Sequence, residues 1–124
     1  MRRSSSDRTS LRLVLMSKPK PKLDLEAAAT FLEAMPLGRW TTYGDLAVAG
    51  GRSPSAAQGI VSWIRSKGHP MSYRVLNKRG EISPEWVQAA PGLPATPSEV
   101  EARLSDEGVL FESGRAANAA RWRA

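Results

Sequence analysis

The stretch 43-YGDLAVAGGRSPSAAQGIVSWIRSKG-68 limits the fold more than any other part of the chain. Its middle, 50-GGRSP-54, cannot continue a helix. Two adjacent glycines lose too much backbone freedom, and proline has no N–H to give and fits only a first turn. On either side the composition suits a short helix. The first spans about 43–50 and stops at Gly50-Gly51. Ser53-Pro54 then supplies an N-cap followed by a proline in the first turn. A second helix runs through 55-SAAQGIVSWIRSKG-68, with Ala57, Ile60, Val61 and Ile64 on its apolar side and Gly68 as its stop. Two short helices joined by a tight glycine-rich turn predict a helix-turn-helix.

The flanking sequence completes a small domain. Asp24 is a good N-cap for a helix carrying Leu25, Ala28, Ala29, Leu32 and Met35 on one face, which Pro36 and Gly38 end. The segment 39-RWTTY-43 is strand-prone. Beyond the second helix, 73-YRVLN-77, the turn 78-KRG-80 and 81-EIS-83 predict a hairpin, and a hairpin in that place is a wing. After the loop 91-PGLPATP-97, Thr96 or Ser98 caps a helix over 98–108 with Val100 and Leu104 as its apolar stripe. A strand is expected at 109-VLFE-112. The 124 residues suffice for one domain and not two. The expected fold is mainly α with a small β wing, a winged helix-turn-helix over 23–124. Residues 1–22, rich in Arg and Ser and ending in 17-SKPKPK-22, are expected to form a basic disordered tail.

Several kinds of chemistry are excluded or disfavoured. There is no cysteine, which removes disulfides, thiolate metal sites and thiol nucleophiles. With His69 as the one histidine, a metal centre would need carboxylates for its other ligands, so neither metal nor cofactor is expected. Ser72 follows His69 by three residues, but no orienting carboxylate, GxSxG elbow or oxyanion loop accompanies the pair. Pro70 between them also disfavours the helix that would align them. No catalytic residue is assigned. Trp40, Trp63, Trp86 and Trp122 read first as packing residues. The piece 11-LRLVLM-16 is too short for a signal-peptide core, and no apolar run approaches the roughly 20 residues of a membrane span. A cytoplasmic location without membrane contact is the expectation.

Charge is unevenly spread. Residues 1–22 hold seven Lys/Arg against Asp7, while 23–124 hold eleven of each sign. Within that neutral body, 39–79 carry seven bases against Asp45 alone. A basic face and a basic tail fit a polyanion partner, and equally a solvated surface. The start of the second helix adds to this. Ser55, Ala56, Ala57, Gln58 and Gly59 are small or slender, which lets a helix tip approach a groove closely, and Gln58 can hydrogen-bond a base edge. Gly59 could as well relieve a helix crossing.

In order along the chain, 38-GRWTTYGDLA-47, 54-PSAAQGIVSWI-64, 74-RVLNKRGEIS-83 and 99-EVEARLSDEGVLF-111 resemble the DNA-binding domain of alkylguanine-DNA alkyltransferases, and most of all the cysteine-less alkyltransferase-like proteins. The resemblance covers about residues 24–124. The repair enzymes carry a P-C-H-R-V motif whose cysteine accepts the alkyl group; Met71, Ser72, Tyr73, Arg74 and Val75 stand at those positions here. The alkyltransferase-like proteins usually have tryptophan where Ser72 stands and histidine where Tyr73 stands. A serine hydroxyl cannot replace the thiolate, so alkyl transfer is excluded and the resemblance implies a non-enzymatic protein. It further implies insertion of the second helix in the minor groove of double-stranded DNA, with Tyr43 helping to rotate a nucleotide phosphate. Gln58 falls where the family has an arginine that fills the hole left by a flipped base, and it lacks that residue's charge and fork. The DNA-binding residues expected are Thr42, Tyr43, Ser55, Ala56, Gln58, Gly59, Arg65, Arg74, Lys78 and Arg79, with Met71, Ser72 and Tyr73 around a base pocket. The partners implied are duplex DNA carrying alkylguanine and proteins of nucleotide excision repair. Two other readings stay open: a general or sequence-specific DNA-binding module without lesion recognition, and a protein-interaction domain that has lost DNA binding.

Overall fold

The computed structural model describes residues 22–124; the expected tail, Lys22 apart, lies outside them. The first helix, α1 (Leu25–Glu33), is capped as its sequence requires, with the Ala27 N–H donating to Asp24 Oδ1 at 3.0 Å. Strand β1 (Thr41–Thr42) runs straight into α2 (Tyr43–Ala49), whose N-cap is Thr42. Its Oγ1 accepts from the Asp45 N–H at 2.9 Å, so one residue ends a strand and starts a helix. Gly50 and Gly51 stop α2. A single 3₁₀ turn, Pro54–Ala56, leads into α3 (Ala57–Lys67). The helix-turn-helix is therefore present, with α3 beginning two residues later than the apolar spacing predicts because the first turn is wound as 3₁₀. Gly68 ends α3 in the left-handed region at φ +66°.

The apolar faces read from the sequence meet in part: Leu25, expected on the first helix's apolar face, is exposed, and Phe31 packs on the core instead. Ala28 and Leu32 of α1, with Met35 just beyond its end, pack against Leu46 and Ala47 of α2 and Ile60 and Ile64 of α3, with Val75 closing the cluster. Truncating a fully buried member such as Leu32 costs about 2–5 kcal/mol. A second cluster gathers around Trp40, Tyr73, Leu76 and Leu93, with Val100 and Leu104 from α4 (Pro97–Asp106). Of the two candidate caps for α4, Thr96 does the capping, accepting from the Glu99 N–H at 3.2 Å. Among the described residues no helix is long and apolar enough to cross a membrane.

The β part differs from expectation in its pairing. After a 3₁₀ turn at Ser72–Arg74, β2 (Val75–Leu76) pairs in parallel with β1, Thr41 opposite Val75 and Thr42 opposite Leu76. The predicted hairpin of 73–77 with 81–83 does not form as two strands. What is present is a tight turn in which the Asn77 N–H donates to the Glu81 carbonyl at 3.0 Å and Asn77 Oδ1 accepts from the Arg79 and Glu81 N–H groups. The Asn77 side chain takes the donors that a longer ladder would have used. The antiparallel hairpin lies further along, between β3 (Phe111–Glu112) and β4 (Arg115–Ala116).

The C-terminal segment is bound to the helix-turn-helix by contacts the sequence did not announce. The Trp40 N–H donates to the Ala120 carbonyl at 3.1 Å and the Trp122 N–H to the Trp40 carbonyl at 2.6 Å, placing this segment in parallel beside Trp40. Arg121 grips Asp45 with two nitrogens, Nε to Oδ2 at 2.8 Å and Nη2 to Oδ1 at 3.1 Å. Burial pushes the Asp45 carboxyl up, but Arg121 and the Thr42 donors more than offset it, so the group lies below its ordinary range.

Candidate nucleic-acid interface

The start of α3 and the turn before it are largely exposed. Ser55, Gln58 and Gly59 face solvent and Ala56 is half-buried, because the apolar residues that anchor the helix, Ile60 and Ile64, come one and two turns later. Small residues sit where the helix projects, and the larger ones hold it from behind.

Two cavities flank this tip, and Tyr43 is a wall of both. The tighter one, about 220 Å³, lies between α3 and the segment 83–87. From α3 come Gln58, Val61, Ile64 and Arg65; from the facing loop come Ser83, Glu85, Trp86 and Val87. The loop is held by a turn, with the Trp86 N–H donating to the Ser83 carbonyl at 3.1 Å, and by Trp86 Nε1 donating to the Pro94 carbonyl at 2.8 Å. Arg65 Nη2 reaches across to Glu85 Oε1 at 3.1 Å. Both side chains are open to solvent, so the pair is worth little in stability. Burial raises the Tyr43 hydroxyl above its ordinary pKa, with nearby Arg65 only partly opposing. Tyr43 therefore presents a neutral O–H that can donate.

The wider cavity, about 540 Å³, lies on the other side of Tyr43 and joins Thr42, Pro54 and Ala57 to Asn77 and Lys78 of the turn. Lys78 and Arg79 are exposed there. Of the expected DNA-binding residues, Thr42, Tyr43, Gln58, Arg65 and Lys78 thus line these two cavities. Ser55, Ala56 and Gly59 sit at the helix tip beside them, and Arg79 lies next to Lys78 in the turn. Thr42 is buried and serves as the α2 cap, so it acts by holding Tyr43 in place.

Arg74 requires a correction, because it is buried. Its Nε lies 3.1 Å from Tyr73 Oη and 3.2 Å from Glu107 Oε1, and Nη1 donates to the Met35 carbonyl at 3.2 Å. A guanidinium committed to these partners is not available to a phosphate.

The expected base pocket requires another. Ser72 and Tyr73 are buried, and neither lines either cavity beside the α3 tip. The Tyr73 hydroxyl donates to Glu107 Oε2 at 2.5 Å, and the Arg103 guanidinium stacks 4.2 Å over its ring. Burial and the Glu107 acceptor hold this hydroxyl protonated. Ser72 Oγ has no hydrogen-bond partner among the described residues. Met71 is half-buried against the first core cluster. Tyr73 is core because Arg103 of α4 and Glu107 at its end close over it.

His69 is a structural residue. The Met71 N–H donates to Nδ1 at 3.0 Å, which leaves Nε2 to carry the proton toward Glu33 Oε2 at 2.9 Å. The ring meets Trp63 edge-on, with centroids 5.9 Å apart.

The residues missed from the sequence are Ser83, Glu85, Trp86 and Val87. A tryptophan in a proline-containing loop was the available signal, and it reads equally well as a core anchor, which Trp86 also is.

No protein-family model matches the chain, and no curated protein matches it. Among solved structures, the chain is similar to the one in the crystal structure of S. pombe Atl1 in complex with damaged DNA containing O6-carboxymethylguanine. The TM-score is 0.57 at 20% identity, over 81% of this chain and 94% of that one. The chain shares the fold of that protein.

Proposed function

We propose that the protein is a non-enzymatic binder of duplex DNA that inserts the tip of α3 into the minor groove and takes an alkylated guanine, turned out of the stack, into the cavity between α3 and 83–87. The observation that carries this reading is the cavity itself. It opens directly beside the exposed tip, between Tyr43 and Gln58 on one side and Trp86 on the other. A base extruded past the tip has a tyrosine O–H, a glutamine amide and an indole within reach. The absence of any cysteine leaves no thiol to accept an alkyl group. The fold shared with a protein solved on damaged DNA supports the same reading. Binding in this mode would mark the lesion for other repair proteins, those of nucleotide excision among them.

The direct test is affinity of the full chain for one duplex with and without a single O6-alkylguanine. Tighter binding to the modified duplex is expected; equal affinity contradicts lesion recognition. A second reading, general or sequence-specific DNA binding without a lesion pocket, is favoured by Gln58, which brings no charge to fill the vacated stack. Selection from random duplexes separates the two, since a lesion reader yields no consensus sequence.

A further inference from the structure

We infer that the cavity between α3 and 83–87 selects guanine adducts that carry no charge and discriminates against anionic ones. This rests on the reading of that cavity as a base pocket and deepens it to the class of adduct. Val61, Ile64, Trp86 and Val87 supply hydrocarbon and indole surface. The polar groups are neutral: the Tyr43 hydroxyl, the Gln58 amide and the Ser83 hydroxyl. They suit the edges of a base.

Two lining residues carry charge, Arg65 and Glu85, and they face one another at 3.1 Å. Their charges cancel at the rim. A carboxylate entering here would lose part of its hydration to an apolar wall, with the one nearby guanidinium already facing an acidic partner. A methyl or benzyl group loses no such hydration and gains contact with the same wall. Glu85 is thus the specificity-determining residue: its charge neutralises the cation an anionic adduct would need.

The test uses the full chain and four duplexes differing at one guanine: unmodified, O6-methyl, O6-benzyl and O6-carboxymethyl. The two neutral adducts are expected to raise affinity over unmodified guanine by about tenfold, a typical step for one well-made contact set. The carboxymethyl adduct is expected to bring no gain. Glu85→Gln frees Arg65 and should raise carboxymethyl affinity toward that of the neutral adducts. Arg65→Gln should weaken carboxymethyl binding further, below that of the unmodified duplex. Both side chains are solvent-exposed, so neither variant endangers the fold. If wild type gains equally from carboxymethyl and methyl, the charge inference is overturned while lesion binding stands. If no adduct raises affinity, the base-pocket reading falls and the inference with it.

Discussion

Arg74 and Ser72 are neighbours in one motif and make opposite predictions. Arg74 is buried and answers Glu107, Tyr73 and the Met35 carbonyl. Removing it leaves Glu107 without its closest cation, so Arg74→Gln should cost about 3 kcal/mol in chemical denaturation. Duplex affinity of the fraction still folded should not change. Ser72 Oγ is buried with no partner among the described residues, a group whose removal relieves a desolvation cost. Ser72→Ala should therefore leave stability equal or slightly higher, and a loss above about 1 kcal/mol would show that the hydroxyl has a partner after all. Asp45 makes a pH prediction. Its native carboxyl lies below the unfolded value, so the unfolded chain binds the proton first. The stabilisation from the Arg121 pair is fully present above about pH 4 and is lost as pH falls through the native value. Asp45→Asn should be less stable at neutral pH and should show a flatter acid limb in denaturation followed against pH. None of these three environments can be read from neighbours in sequence. Arg74 and Asp45 are defined by partners more than 30 positions away, at Glu107 and Arg121, and Ser72 by burial alone.

The helices were legible because each carries its own start and stop. Asp24 and Thr96 cap beginnings, Pro54 opens the turn that leads into α3 although the Ser53 side chain caps no N–H, and Gly50 and Gly68 mark ends. Gly68 also shows what a stop signal can conceal. Its φ is +66°, and a Cβ there would sit 2.8 Å from the Ala89 carbonyl oxygen and 2.9 Å from Ala90 Cβ. The end of α3 is thereby packed on the loop that leaves the cavity wall. Gly68→Ala should cost about 1–3 kcal/mol, above a left-handed penalty alone, measured by thermal or chemical unfolding. The strands were less legible. Residues 75–76 are strand-like in sequence, but whether they pair with 81–83 or with 41–42 depends on a contact across the domain. Local propensity carries no information on that choice, and Asn77 tips it by taking the turn's N–H groups onto its side chain. The cavity loop 83–87 was the least legible element. It has no periodic pattern, and its role arises only from lying opposite α3.

At the scale of the molecule, the helix-turn-helix supplies the projecting tip, while the C-terminal segment and α4 supply the frame behind it. The basic residues left exposed near the tip, Lys78 and Arg79 among them, give the proposed interface its charge. Each phosphate neutralised adds about −0.9 to the slope of log affinity against log salt. Lys78→Ala and Arg79→Ala should each reduce that slope by about one unit and weaken modified and plain duplexes alike. That result would separate holding the backbone from reading the base. The central claim is that the base lies between α3 and 83–87 and not beside Ser72. The measurement that tests it most directly is the ratio of affinities for an O6-methylguanine duplex and its unmodified counterpart, compared between Val61→Phe and Ser72→Ala. Val61→Phe fills the cavity from α3 and should bring the ratio to about one while plain-duplex binding persists. Ser72→Ala should leave the ratio at its wild-type value. A ratio lost in Ser72→Ala and kept in Val61→Phe would contradict the account.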